Sequence, residues 1–120
     1  MGDFSIGVED EFLIVDRATG GLRPRAARVL PSARRALGDD VALELHQSQL
    51  ETATPVCASL PEVRTQLLRL RTDLMAAAEE QGSCIAAAAT HPFSAWTDDP
   101  GITPKYRQLE LDYRQLASAG

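Results

Sequence analysis

The feature that most restricts this chain is a period-two alternation over residues 4–15. Phe4, Ile6, Val8, Phe12 and Ile14 fall on one side, and Ser5, Gly7, Glu9, Glu11, Leu13 and Val15 on the other. Alternation of this length predicts a β-strand with one face in a core. Such a strand needs neighbours to pair with and a layer to cover its apolar side. Asp10 breaks the pattern, because strict alternation sets it among the apolar residues. Either that face opens to water there, or a bulge re-aims the side chain.

Punctuation along the rest of the chain divides it into short elements. DRATGG at residues 16–21 reads as a turn, with residues 22–24 as a short return strand. Residues 25–37 carry Ala26, Val29, Leu30, Ala33 and Leu37 at helical spacing, but Pro31 predicts a break near Leu30 and two short pieces. After Gly38-Asp39-Asp40, residues 41–54 read as a second extended segment, more polar than a core strand, closed by Pro55. Ser59-Leu60-Pro61-Glu62 is a capping box with proline in the first turn. It predicts a helix from Leu60 to about Gln81, with Val63, Leu67, Leu70, Leu74 and Ala78 as its apolar stripe and Gly82 as its stop. Residues 84–89 form a run of small apolar residues that predicts a buried strand. A loop with His91-Pro92-Phe93 and Trp96 follows, then a helix opened by Thr103 and Pro104, with Tyr106, Leu109, Tyr113 and Leu116 on one face. The elements are those of an α+β chain.

Composition narrows the function classes. At 120 residues, 44% hydrophobic and 24% charged, the chain has the proportions of one globular domain rather than of a disordered or disulfide-stapled one. Aromatics are only 5%, so the core must come from Leu, Val, Ile and Ala. The net charge of −5 and dispersed arginines argue against a nucleic-acid partner. No apolar run approaches the ~20 residues that span a bilayer, and the first residues lack the basic and apolar regions of a signal peptide, so a cytoplasmic chain without a membrane partner is expected. Cys57 and Cys84 fit no zinc spacing and read as small buried hydrophobes in a reducing compartment.

Three places could carry chemistry. Glu9 and Glu11, two apart on a strand, share a face, and two carboxylates there repel unless a hard cation such as Mg²⁺ lies between them. A solvated strand face with two ordinary glutamates is the commoner explanation of such a pair. Glu44 and Glu51, seven apart, fall on opposite faces of an unbroken strand. To serve one site they require a turn or bulge between them, around residues 46–48; an exposed edge strand is the alternative. Thr90-His91-Pro92-Phe93 leaves a buried strand abruptly, where ligands often bind, although a proline-stiffened turn with a half-buried histidine explains it as well.

These signals occur together, in order, in one family. GVEDEFLIVD at residues 7–16, SQLETATPVC at 48–57 and ATHPFSAW at 89–96, with LRPRA, LPEVRTQLLRLR and KYRQLELDYRQLA between and after them, resemble the N-terminal part of the carboxylate–amine ligase family, also called glutamate–cysteine ligase type 2. The resemblance covers essentially the whole chain. It implies a glutamine synthetase-like catalytic domain, an antiparallel sheet with helices on one face, of which residues 1–120 are the N-terminal part of a single domain. It also implies ATP-dependent ligation through an acyl phosphate, with ATP and Mg²⁺ as cofactors and glutamate and an amine such as cysteine as substrates. By the same resemblance Glu9, Glu11, Glu51 and Glu44 match metal ligands, and Gln49, Thr54 and His91 line the substrate cleft. The chain departs from the family in reading Glu-Asp-Glu in its first acidic triplet and in carrying Ala89 where glycine is common. The family's His-x-His strand lies beyond residue 120, so this portion alone is expected to be inactive. The alternative expectation is a non-catalytic portion that pairs through an open sheet edge, with itself as a homo-oligomer or with a complementary piece.

Overall fold

The computed structural model describes residues 5–44 and 46–87. Within them a four-stranded antiparallel sheet is ordered β2-β3-β1-β4, with β1 at Glu9–Asp16, β2 at Val41–Leu43, β3 at Gln49–Ala53 and β4 at Ser83–Ala86. The first strand is therefore central. Its partner β3 sets Glu9 opposite Ala53, Glu11 opposite Glu51 and Leu13 opposite Gln49, in a register without interruption.

Two helices cover one face of this sheet. Helix α1 spans Ala26–Leu37 and buries Ala26, Val29, Leu30, Ala33 and Leu37, the residues whose spacing predicts it. The expected break at Pro31 does not occur. Pro31 sits on the exposed side, in the middle of the helix. There the one missing backbone bond faces water, and the buried stripe on the opposite side outweighs the loss. Helix α2 spans Leu60–Glu80, and Ser59 caps it as read, with the return bond from Glu62 reaching one residue before the cap. Glu62 N–H donates to Ser59 Oγ at 3.3 Å, while Glu62 Oε2 reaches back to accept the Ala58 N–H at 2.6 Å. Gly82, at φ 68°, ends the turn after α2 in a conformation that favours glycine.

Phe12, Ile14, Val41 and Leu50 from the sheet meet Val29, Ala33, Leu70, Leu74 and Ala78 from the helices in one core. One expectation is decided here between its two alternatives, and another is corrected. Asp10 is not re-aimed by a bulge; it stays on the helix-covered face, at its margin, where its carboxylate accepts two bonds from Arg71 of α2 at 2.9 and 3.0 Å. Residues 41–54 are not one extended segment but the hairpin β2–β3. The return strand over residues 22–24 reduces to a single bridge between Val15 and Leu22. At its turn, Asp16 Oδ1 accepts the N–H groups of Ala18 and Thr19, which holds the Asp16 carboxyl below the usual range. The predicted buried strand over residues 84–89 begins one residue earlier and ends at Ala86, with only Ser83 fully buried; residues 88 and 89 lie outside the described residues. Cys57 is buried, Cys84 half-buried, and both are free thiols. No described helix is long and apolar enough to cross a membrane.

Candidate metal-binding site

The face of the sheet away from the helices gathers the glutamates. Alternation carries Glu9, Glu11 and Leu13 to this side on β1, and Gln49, Glu51 and Ala53 on β3, because the paired positions share a face. On β2, Ala42 pairs with Glu51, so Ala42 and Glu44 also belong to it. The hairpin achieves what an unbroken strand forbids: by reversing the chain over residues 44–48 it returns Glu44 to the face, and to the side, of Glu51.

That hairpin is anchored at several points. Gln49 N–H donates to the His46 carbonyl at 3.1 Å, and Gln49 Oε1 accepts the His46 N–H at 3.4 Å, so the two residues close the turn on each other. Ile14 N–H donates to the Ser48 carbonyl at 2.7 Å, and Ala26 N–H to the Gln47 carbonyl at 2.8 Å, tying the turn to β1 and α1. His46 and Ser48 are buried. Gln49 and Thr54, read from the family as cleft residues, both have roles in the backbone frame: Gln49 at this turn, and Thr54 through Oγ1, which accepts the Val8 N–H at 2.9 Å.

One carboxylate oxygen from each of Glu11, Glu44 and Glu51 lies within 4.8 Å of the others. Glu44 and Glu51 are half-buried, while Glu11 is exposed. Two like charges at that separation repel by about 1 kcal/mol in bulk water and by several times that where water is partly excluded. The Glu51 carboxyl is pushed from an ordinary 4.5 up to about 7. The chief cause is a hydrogen bond with the Glu44 carboxyl, followed by burial and the negative charges of Glu44, Glu9 and Glu11. A cation held between these carboxylates would favour their ionised forms instead. The ligand set is all oxygen and acidic, which suits a hard divalent ion such as Mg²⁺.

The structure thus brings Glu11, Glu44 and Glu51 together, sets Glu9 and Gln49 on the same face, and places Thr54 just beyond the end of β3. His91 lies outside the described residues. Sequence reasoning missed Ala42, which stands directly across from Glu51 and offers only a methyl group beside the carboxylates. The signal for it was the hairpin, and residues 41–54 carry no glycine-rich turn to announce one.

Comparison with known proteins follows the same residues. The model of glutamate–cysteine ligase family 2 matches residues 5–117. A relative from Roseiflexus castenholzii is 35% identical over 116 residues, covering 95% of this chain and 30% of the relative. One from Sorangium cellulosum is 38% identical over 121 residues, covering 98% and 32%. Both carry the name "Putative glutamate–cysteine ligase 2". The chain therefore spans about a third of the length of these relatives. With nearly every residue inside the family match, and with the acidic face built from the motifs that carry the likeness, the chain belongs to glutamate–cysteine ligase family 2.

Proposed function

We propose that this chain supplies the metal-holding part of an ATP-dependent carboxylate–amine ligase that joins the γ-carboxyl of glutamate to an amine, with cysteine as the acceptor. The observation that carries the reading is the convergence of Glu11, Glu44 and Glu51 within 4.8 Å, together with Glu9 on the same face. In this reading residues 1–120 are the N-terminal part of a single glutamine synthetase-like domain working in the cytoplasm, and the sheet face bearing the glutamates lines its cleft.

The reaction sets the demand. The γ-carboxylate of glutamate attacks the terminal phosphorus of ATP, the bond to the ADP oxygen breaks, and an acyl phosphate forms. The amine nitrogen then attacks the acyl carbon, inorganic phosphate leaves with the bonding pair, and the nitrogen loses a proton. The first step brings an anion towards a polyphosphate and the second expels an anionic phosphate, so negative charge must be offset in advance. Glu9, Glu11, Glu44 and Glu51 would hold Mg²⁺, which when bound supplies that positive charge. The protein's own contribution is positional: rigid strands fix the carboxylates, and the clip between His46 and Gln49 keeps Glu44 beside Glu51. The raised Glu51 carboxyl gives up its proton when a cation takes its place.

The test is phosphate release from ATP by the intact protein. Release is expected only with glutamate and an amine both present, and Glu9→Ala and Glu51→Ala should each abolish it. Release that ignores glutamate overturns the ligase reading, and release unaffected by Glu51→Ala overturns the metal assignment.

A further inference from the structure

Ahead of Glu9 the pairing of β1 with β3 continues for one more position and then slips. Thr54 N–H donates to the Val8 carbonyl at 2.8 Å, keeping the register that sets Glu9 opposite Ala53. The next pair is Ile6 with Cys57, which exchange backbone bonds of 2.9 and 2.8 Å. Pro55 and Val56 therefore stand opposite Gly7 alone, the two-against-one arrangement of a β-bulge. In an unbroken antiparallel ladder the Val8 N–H would donate to the Thr54 carbonyl. It donates instead to the Thr54 hydroxyl oxygen at 2.9 Å.

Local chemistry explains why this bulge is tolerated. Pro55 keeps Thr54 extended and brings no N–H of its own to satisfy. The Pro55 carbonyl accepts a hydrogen bond from Cys57 Sγ at 3.3 Å. The one donor on the facing strand that the bulge would strand is the Val8 N–H, and the Thr54 side chain takes it.

We propose that Thr54 is a positioning residue for Glu9. Its hydroxyl stands in for a ladder carbonyl at the residue before the bulge and holds the backbone of Val8 in the sheet, so that Glu9, the next residue, keeps its carboxylate on the face of Glu11 and Glu51. A slip of one residue there would send the Glu9 side chain to the opposite face. This rests on the reading of the acidic face as an ion site, and it changes the expected role of Thr54 from lining a substrate cleft to fixing a ligand's backbone.

Thr54→Val keeps the shape and removes the hydroxyl, whereas Thr54→Ser keeps the hydroxyl. Amide hydrogen exchange in the full chain should show the Val8 N–H exchanging about tenfold faster in Thr54→Val, with Leu50 and Ile14 unchanged, and near the starting rate in Thr54→Ser. Titration with Mn²⁺ as the probe should show affinity about tenfold weaker in Thr54→Val and recovered in Thr54→Ser. Unchanged Val8 exchange overturns the proposal, and so does faster exchange with unaltered Mn²⁺ affinity. If the unsubstituted chain binds no Mn²⁺ while Val8 exchange still responds to the substitution, the ion site fails, and the positioning role with it; the backbone tether alone then stands.

Discussion

On one face of the sheet Phe12, Ile14, Val41 and Leu50 lie under the helices, none more than 2% exposed; on the other, Glu9, Glu11, Glu44 and Glu51 share one patch. The two faces are made from alternate residues of the same strands, so Glu11 adjoins Phe12 and Leu50 adjoins Glu51. The helix-covered face admits a charge only at its margin, as Asp10, and pairs it at once with Arg71. The opposite face collects like charges, and it does so by folding a hairpin that brings Glu44 in. Burial on the first face stabilises the fold, while charge crowding on the second opposes it. In the proposed reading, a bound cation is what relieves this opposition.

The sharpest way to break the contrast is to substitute neighbours. Phe12→Ala should destabilise the fold by about 3–5 kcal/mol in urea unfolding, since it empties a fully packed site. Glu11→Gln, one residue away, should be neutral or stabilising without metal. Equal losses at both positions would end the distinction between the faces. The next largest effect is on the ion: Ala42→Lys would set an ammonium beside Glu51, lower the Glu51 carboxyl from about 7 towards its ordinary value, and weaken Mg²⁺ affinity by about tenfold or more in calorimetric titration. Asp10→Ala should cost about 1 kcal/mol, because the Asp10–Arg71 pair is half-exposed. A double-mutant cycle with Arg71→Ala should recover most of that as coupling.

A pH series sharpens the comparison most gently. Glu51 titrates near 7 in the folded chain and near 4.5 when unfolded. Between those values the folded state binds the extra proton, so stability should fall as pH rises from about 4.5 to about 7. Saturating Mg²⁺ should flatten this decline, and Glu44→Gln should flatten it without metal. A decline that neither treatment alters would place its origin elsewhere.

Much of the helix-covered face is legible in the amino acids. The alternation around Phe12 and Ile14, the stripe of α1 and the capping box at Ser59 and Glu62 all express local geometry, which needs no partner to be recognised. What failed depends on contacts across the chain. Pro31 reads as a helix breaker because the buried side of α1, which outweighs it, is invisible from the residue itself. Asp10 reads as a misfit because Arg71, which pairs with it, lies on another element. The hairpin between Glu44 and Gln49 lacks a glycine signal and is held by bonds to Ile14 and Ala26. For the candidate site, family resemblance singled out the four glutamates; spacing alone could not bring Glu44 to Glu51.

The strand order β2-β3-β1-β4 has a consequence for synthesis on the ribosome. The strand made first is the one that ends in the middle, and its second neighbour is complete only at Ala86. At about 5–20 residues per second, β1 waits for several seconds with both backbone edges unpaired and with Phe12, Leu13, Ile14 and Val15 in a row. Glu9, Asp10 and Glu11 directly precede that run, and Asp16 and Arg17 directly follow it. Charges flanking an apolar strand hinder its stacking with copies of itself. The carboxylates that crowd the finished sheet thus also guard its central strand while the chain is still growing.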